Sequence, residues 1–290
     1  MKIAVWRTGH EIADTVADAV KEGIPNAEMC YIPPSQINAV GDVNIGYGIL
    51  RGMDKVFREC ERQGKPWINI DRGYFQPGHY DGHYRISLCG TQQTLGLDQL
   101  EPDYKRLGNL GIKFQDPYRI NAQAHTLIVP PTDYVCDFFK VDKEKSLLGL
   151  LDMKAVYDRP YIIRHKGDKT PLGQHLTNCL RVVTFNSSVG WEALRRGIPV
   201  YSDPNCSIVG VWQKMSCKPL HLDLLNIYKL FAVMSSLQLT LSEIKSGMLC
   251  PLMEKLLKIH QSMSGSVSTQ ENQCAVMSPP IPSEKEQMRS

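Results

Sequence analysis

Short apolar runs alternate with longer segments of helical periodicity along most of the chain. The apolar run at residues 2–6 is followed by a glycine turn and by residues 11–21, where Ile12, Val16 and Val20 recur at helical spacing. A strand, a glycine turn and a helix in this order are typical of the start of a Rossmann-like unit. Because the same alternation returns later in the chain, the pattern predicts an α/β fold with parallel, doubly wound sheets.

The same periodicities predict the other elements. Strands are expected at residues 27–32, 66–70, 84–87, 125–129, 161–163, 181–185 and 198–201. Helices are expected at residues 49–63, 147–157, 172–178, 189–196, 220–237 and 242–260. Residues 95–120 carry little periodicity, so the pattern predicts neither a helix nor a strand there.

The order of elements divides the chain into two lobes and a tail. A new strand near residue 125 begins a second series of strands and helices, which predicts an N-terminal lobe over residues 1–122 and a C-terminal lobe over residues 123–261. Residues 262–290 are dominated by Ser, Gln, Pro and Glu, and such a composition predicts a disordered tail. The expected fold is therefore two Rossmann-like, doubly wound lobes followed by this tail.

Composition narrows the class of protein. Hydrophobic residues make up 42% and charged residues 22% of the 290 positions, as in ordinary globular proteins. A net charge of +3, with basic clusters only two or three residues long, indicates no nucleic-acid surface and suits a few phosphates better. We find no secretory segment and no apolar run of about 20 residues, so no stable membrane insertion is expected. Nine scattered cysteines without a CxxC pair predict reduced thiols in a cytoplasmic protein, not a disulfide or zinc framework.

The segment VVTFNSSVGWEAL, residues 182–194, carries the strongest chemical pattern. A buried strand leads to Asn186, Ser187 and Ser188, which open a helix whose free N–H groups and dipole favour a phosphate or carboxylate. Glu192 follows one turn later, where it can accept hydrogen bonds from sugar hydroxyls. The alternative is structural: a serine caps the helix and Glu192 completes a capping box.

A second basic cluster follows the preceding predicted strand. Arg164, His165 and Lys166 lie in the loop after residues 161–163, at the same expected sheet edge. Three potential cations facing a helix N-terminus form a clamp for phosphates. The alternative is a solvated turn.

The order of these motifs resembles a known family of enzymes. A strand, the tripeptide RHK, a helix and then VVTFNSSVGWEALRRGIPV resemble the donor lobe of GT-B glycosyltransferases, over residues 160–205. The resemblance is to capsule-polysaccharide enzymes of the Kdo- and sialyltransferase-like type, and to related bacterial and phage proteins. It implies a cytidylyl- or uridylyl-linked sugar donor held between the lobes, with no metal required for catalysis and no cofactor besides this co-substrate.

Site residues can be carried over from the family motifs. His165 matches the motif histidine, Ser187 and Ser188 match the serine pair, and Glu192 matches the acidic residue that meets the donor ribose. The sequence departs from the pattern at Lys166, where the family commonly has proline.

The first lobe offers two candidates for the base that activates an acceptor. Asp71 follows an apolar strand, and Asp71-Arg72-Gly73 loosely resembles an acidic-acidic-glycine motif of the family. Asp71 can instead cap the next turn or pair with Arg72. His10, in the turn after the first strand, is the rival base, although a turn histidine is more often structural. The aromatic residues between 74 and 84 suit either sugar stacking or packing between lobes.

The leading hypothesis is a metal-independent, inverting glycosyltransferase that moves a sugar from a nucleotide sugar to an unknown glycan or other hydroxyl acceptor. One alternative is a nucleotide-sugar 2-epimerase, which shares the two-lobed fold and needs acid/base pairs but no acceptor. The other is a catalytically degenerate family member that acts in binding or assembly.

Overall fold

The computed structural model describes residues 1–33, 37, 40–115, 124–151, 159–216 and 223–266. The first part of the chain forms β1 (Ile3–Arg7), α1 (Glu11–Gly23), β2 (Glu28–Tyr31), β3 (Val43–Tyr47), α2 (Met53–Arg62), β4 (Trp67–Arg72), β5 (His83–Leu88), a 3-10 turn (Leu97–Gln99) and α3 (Tyr104–Asn109). The middle part forms β6 (His125–Val129), α4 (Asp133–Phe139), α5 (Lys143–Leu151), β7 (Tyr161–Ile163), α6 (Leu172–Leu176), β8 (Cys179–Thr184), α7 (Val189–Leu194), β9 (Val200–Ser202) and α8 (Ile208–Met215). The last part forms α9 (Leu224–Ser236), β10 (Gln238–Thr240), α10 (Leu241–Lys245) and α11 (Leu249–Ser266).

The first sheet has six strands in the order β10-β5-β4-β3-β1-β2. Strands β2, β1, β3 and β4 run parallel, whereas β5 is antiparallel to β4 and β10 is antiparallel to β5. Helix α1 buries Val16 and Val20 in the core beneath these strands, as its periodicity predicts. The prediction of an α/β fold with parallel sheets is confirmed, and the two antiparallel strands are a departure from it.

The second sheet has four parallel strands in the order β7-β6-β8-β9. Its strands therefore repeat the 2-1-3-4 order of the parallel part of the first sheet. In each sheet the order reverses direction beside the first strand, between β1 and β3 and between β6 and β8. Ligands of open α/β sheets bind at such points, outside the carboxyl ends of the strands.

The C-terminal part of the described chain returns to the first sheet. Strand β10 pairs with β5, although the sequence analysis groups residues 238–240 with the second lobe. Helix α10 packs on α1, and its Glu243 forms an ion pair with Arg106 of α3. The chain thus passes from the first sheet to the second and back again. The expected boundary at 122/123 falls within 116–123, outside the described residues.

Several predicted elements differ in extent. Strands β3 and β10 and helices α3, α4 and α8 have no counterpart in the sequence prediction. The predicted helices at 147–157 and 220–237 agree with α5 and α9 where the structure describes them, and residues 152–157 and 220–222 lie outside that part. Helix α11 continues to Ser266, past the expected start of the tail at 262, and residues 267–290 of the tail lie outside the described ranges.

Of the three hydrophobic clusters among the described residues, the most extensive includes residues of both sheets. The rings of Tyr74 and Trp191 meet edge to face with centroids 5.2 Å apart, and the Trp191 indole N–H donates to the Tyr74 carbonyl at 2.9 Å. Tyr74, Phe75 and Tyr84 are buried, so these members of the predicted aromatic run pack inside the protein and do not offer faces for sugar stacking. None of the described helices is both long and apolar enough to cross a lipid bilayer.

Candidate active site in the cleft between the sheets

A cleft of about 1200 Å³ opens between the carboxyl ends of the two sheets. One wall consists of the loops after β1 and β3 and the end of β4, and the other of the segments that follow β6, β7 and β8. All nine side chains that the sequence analysis selects line this one cleft: His10, Asp71, Arg164, His165, Lys166, Asn186, Ser187, Ser188 and Glu192. The structure therefore brings the two predicted groups of residues together across the cleft.

The cleft concentrates positive charge. Seven lysine and arginine side chains of the described residues line it: Arg51, Arg72, Arg85, Lys113, Arg164, Lys166 and Arg195. Only two carboxylates of the described residues, Asp71 and Glu192, line it as well. Since the whole chain carries a net charge of only +3, much of its excess positive charge faces this space. Such a surface favours an anionic ligand.

The serine loop, residues 186–188, is held by a short hydrogen-bonded network. The Thr184 hydroxyl donates to the Val129 carbonyl at 2.9 Å and accepts from the Ser187 N–H at 3.3 Å. The Ser187 hydroxyl in turn accepts from the Val189 N–H at 3.3 Å. Ser188 occupies the N-cap position of α7, where its side chain makes no capping bond, and it is exposed. The hydroxyl of Ser188 is therefore available to a ligand.

Glu192 is engaged by a neighbouring side chain. Its carboxylate accepts two hydrogen bonds from the Arg195 guanidinium. One of these bonds runs from Nη2 to Oε1 at 3.0 Å. The hydrogen bond to Glu192 raises the pKa of the Arg195 guanidinium. The capping box that was the structural alternative for Glu192 does not form, because the carboxylate faces Arg195 and not the backbone at the N-cap.

Part of the basic loop after β7 is held by contacts between its own residues. The Arg164 guanidinium donates to the Thr170 carbonyl at 2.7 Å and lies 3.8 Å from the Asp168 carboxylate. A hydrogen bond from the Thr170 backbone N–H is the main cause that lowers the pKa of Asp168. Lys166 reaches the Tyr134 hydroxyl at 2.7 Å. His165 is exposed at the cleft. A phosphate can therefore reach His165 and Lys166 more readily than Arg164.

Asp71, the penultimate residue of β4, lies directly opposite Arg85 of the antiparallel strand β5. Its Oδ2 accepts from Arg85 Nη2 at 2.5 Å, and its Oδ1 accepts from the Arg72 backbone N–H at 2.8 Å. The expected pairing with Arg72 is thus limited to the backbone, because the Arg72 side chain lies 2.5 Å from His79 Nε2. Each carboxylate oxygen of Asp71 therefore already accepts a hydrogen bond.

His10 occupies the turn between β1 and α1, at the N-cap position, without forming a capping bond. The turn is closed instead by Asp14, whose carboxylate accepts from the N–H groups of Thr8 and Gly9 at 3.1 and 3.3 Å. The Nδ1 atom of His10 is buried and has no hydrogen-bond partner among the described residues. The His10 side chain therefore contributes no hydrogen bond that stabilises this turn.

Three residues that the sequence analysis does not select also shape the cleft. Arg85 holds Asp71, and Tyr47 lies beside them, where burial and then the charge of Asp71 raise the pKa of its phenol to about 12. Gln92 is 3% exposed and donates from Nε2 to the Asn186 carbonyl at 2.6 Å. A buried glutamine in the loop after β5 forms no recognisable motif, so the sequence carries no signal for it.

The described part of the chain contains no cluster of three or more His, Cys, Asp or Glu side chains placed to hold a metal ion.

Comparisons with known proteins give similarities of fold. No protein-family model matches the chain, and no curated protein sequence matches it. Among solved structures, the chain is similar to "Thermosulfurimonas dismutans KpsC, beta Kdo 2,4 transferase", with a TM-score of 0.46 and 12% identity over 80% of this chain and 89% of that chain. It is also similar to "Thermosulfurimonas dismutans KpsC, beta Kdo 2,7 transferase", with a TM-score of 0.47 and 9% identity over 85% of this chain and 98% of that chain.

Proposed function

We propose that the protein is a glycosyltransferase that moves a sugar from a nucleotide-sugar donor to a hydroxyl acceptor. One observation carries the proposal: the switch points of both sheets face a single cleft whose described lining contains seven cationic side chains and two carboxylates. Ligand pockets usually have volumes of about 300 to 1,000 Å³, so a cleft of about 1200 Å³ accommodates a donor and an acceptor together. The two sheets would then serve as the acceptor and donor lobes of a GT-B-like enzyme.

The donor phosphate is assigned to the wall formed by the second sheet. Ser188 offers a free hydroxyl, and His165 and Lys166 are exposed on the adjacent loop. Cations placed around a leaving phosphate stabilise the negative charge that develops on it. We therefore expect the reaction to be metal-independent. These side chains would stabilise the charge of the leaving phosphate, as Mg²⁺ does at other phosphate-transfer sites.

We assign the general base to His10 and a positioning part to Asp71. Both oxygens of Asp71 are engaged by Arg85 and the backbone, whereas the imidazole of His10 lines the cleft and forms no described side-chain hydrogen bond. His10 would take the proton of the acceptor hydroxyl. The acceptor oxygen then bonds to the anomeric carbon on the face opposite the phosphate. The bond from that carbon to the phosphate oxygen breaks, and its electron pair leaves with the nucleotide, so the product is inverted.

Nucleotide binding is the first test of this proposal. We expect titration calorimetry to detect binding of CMP or UDP by the wild-type protein. The double variant Ser187→Ala/Ser188→Ala should bind about tenfold more weakly, since one or two hydrogen bonds to a charged ligand are lost. Ser236→Ala is the matched control, because its hydroxyl donates only to Val233 within α9.

The outcome separates the hypotheses. Unchanged affinity in the folded double variant would mean that the phosphate lies elsewhere. Binding with no turnover of any nucleotide sugar would favour a binding or assembly protein. Turnover without an acceptor that inverts the sugar at C2 would instead identify an epimerase.

A further inference from the structure

Gln92 joins the two halves of the protein beneath the cleft. It follows β5 of the first sheet, yet both ends of its side-chain amide bind the second half of the chain. The Nε2 atom donates to the Asn186 carbonyl at 2.6 Å, and the Oε1 atom accepts from the N–H of Ile208, the first residue of α8, at 2.9 Å. With 3% of its surface exposed, the amide is shielded from competing water.

The same segment is bonded to the opposite wall of the cleft. The Thr91 carbonyl accepts from Arg85 Nε at 3.0 Å, and Arg85 binds Asp71. The Thr91 hydroxyl lies 3.5 Å from Asn186 Nδ2. Residues 91 and 92 therefore connect the carboxylate on the first wall with the serine loop on the second.

We infer that Gln92 is a positioning residue that fixes the serine loop, residues 186–188, in the geometry needed to hold the donor phosphate. This inference rests on the proposed function for its ligand, while the positioning itself is a property of the free protein. Asn186 immediately precedes the two serines, so a carbonyl fixed there limits the movement of their hydroxyl groups. Ligand sites depend on such supporting contacts because small displacements of a binding group weaken its bonds.

The neighbouring Gln93 provides a matched control. It is also fully buried, and its amide also forms two bonds to the backbone, from Leu88 N–H at 2.8 Å and to the Leu95 carbonyl at 2.6 Å. Both of these bonds stay within the first half of the chain. Gln93→Met therefore removes a similar number of buried bonds as Gln92→Met without touching the serine loop, and methionine preserves the side-chain volume in each case.

Hydrogen exchange of the ligand-free protein tests the inference directly. The reporters are the amides of Ser187, Val189 and Gly190, each of which donates a hydrogen bond from or to the serine loop: Ser187 to the Thr184 hydroxyl, Val189 to the Ser187 hydroxyl and Gly190 to the Ser187 carbonyl. We expect them to exchange about tenfold faster in Gln92→Met, the effect of losing roughly one net hydrogen bond. Gln93→Met should leave these amides unchanged at a comparable loss of melting temperature. The affinity for CMP or UDP should fall about tenfold in Gln92→Met only.

Each result decides between distinct conclusions. Unchanged exchange at the reporters in Gln92→Met, or equal acceleration in both variants, would overturn the positioning role. Faster exchange in Gln92→Met alone, in a protein whose wild type binds neither nucleotide, would support the positioning role and count against the proposed function. If Gln92→Met does not fold, Gln92→Asn, which keeps the amide but shortens its reach, takes its place in the same comparison.

Discussion

The two described carboxylates of the cleft, Asp71 and Glu192, are each bound by an arginine. Asp71 meets Arg85 across two antiparallel strands, and Glu192 meets Arg195, the residue at the C-cap of α7. Each pair fixes the position of a guanidinium group at the cleft. Under the proposed function these carboxylates would orient cations, and a residue outside the two pairs would act as proton acceptor.

Substitution of each candidate base in turn tests whether His10 or Asp71 accepts the proton. We expect His10→Gln to lower turnover of a nucleotide sugar by about 10²- to 10⁴-fold with little change in donor affinity, the usual contribution of general-base assistance. Asp71→Asn should lower turnover by about tenfold or less, because it weakens the ion pair with Arg85 but leaves the proposed base, His10, in place. Steady-state rates and calorimetry on both variants provide the comparison. A large loss in Asp71→Asn together with normal turnover in His10→Gln would return the role of base to Asp71.

The candidate site shows which residues a sequence can reveal. His10, Asp71 and the serine pair lie in or beside loops at the ends of predictable parallel strands, so their shared edge follows from the topology of α/β sheets. The partner of Asp71 does not follow in this way. Arg85 lies within β5, and its position opposite Asp71 depends on the antiparallel direction of a strand that the pattern alone leaves undetermined.

At the scale of elements, a clear apolar pattern, more than length, decided what could be predicted. Most longer periodic segments, such as α1 and α9, were found, because their apolar positions recur over several turns. Strand β10 has only three residues between two helices, and β3 contains both a buried asparagine and a glycine, so neither shows a strand pattern. Their pairing comes from the surrounding fold and not from local preference.

The ion pair that fastens α10 to α3 is expected to make stability depend on pH. Burial alone would raise the pKa of Glu243, but hydrogen bonds from Arg106 and from the Thr240 N–H outweigh it and lower this pKa to about 2. A depressed carboxyl pKa stabilises the fold above its unfolded value of 4.5, and this contribution is lost as the pH falls toward 2.

The measurement is a melting curve at several pH values. We expect Glu243→Gln to destabilise the protein by about 1 to 2 kcal/mol at neutral pH, a modest value since the pair is partly exposed. The difference from wild type should shrink below about pH 4.5 and vanish near pH 2. The exposed Glu254→Gln is the control. A difference that stays constant down to the lowest pH would show that Glu243 does not act through its charge.

At the scale of the whole molecule, the distribution of charge matters more than its total. The net charge is only +3, but the cleft is lined by seven described lysine and arginine side chains. Binding of a charged ligand at such a surface depends on ionic strength.

Salt should therefore weaken nucleotide binding selectively. Between 50 and 500 mM NaCl we expect the affinity for CMP or UDP to fall by about tenfold, because the Debye length shortens to a few ångströms. Cytidine and uridine, which lack the phosphate, are the matched ligands and should bind with little dependence on salt. Equal salt sensitivity of nucleoside and nucleotide would argue against phosphate recognition by these cations.

The return of the chain to the first sheet has a consequence for biosynthesis. The outer edge of β5 is covered by β10, yet residues 238–240 are translated only after all four strands of the second sheet. At usual rates of translation this edge remains open for on the order of 10 s. An uncovered strand edge is a site of aberrant pairing with other chains. Until residues 238–240 are made, the edge of β5 in the nascent chain is therefore open to such pairing.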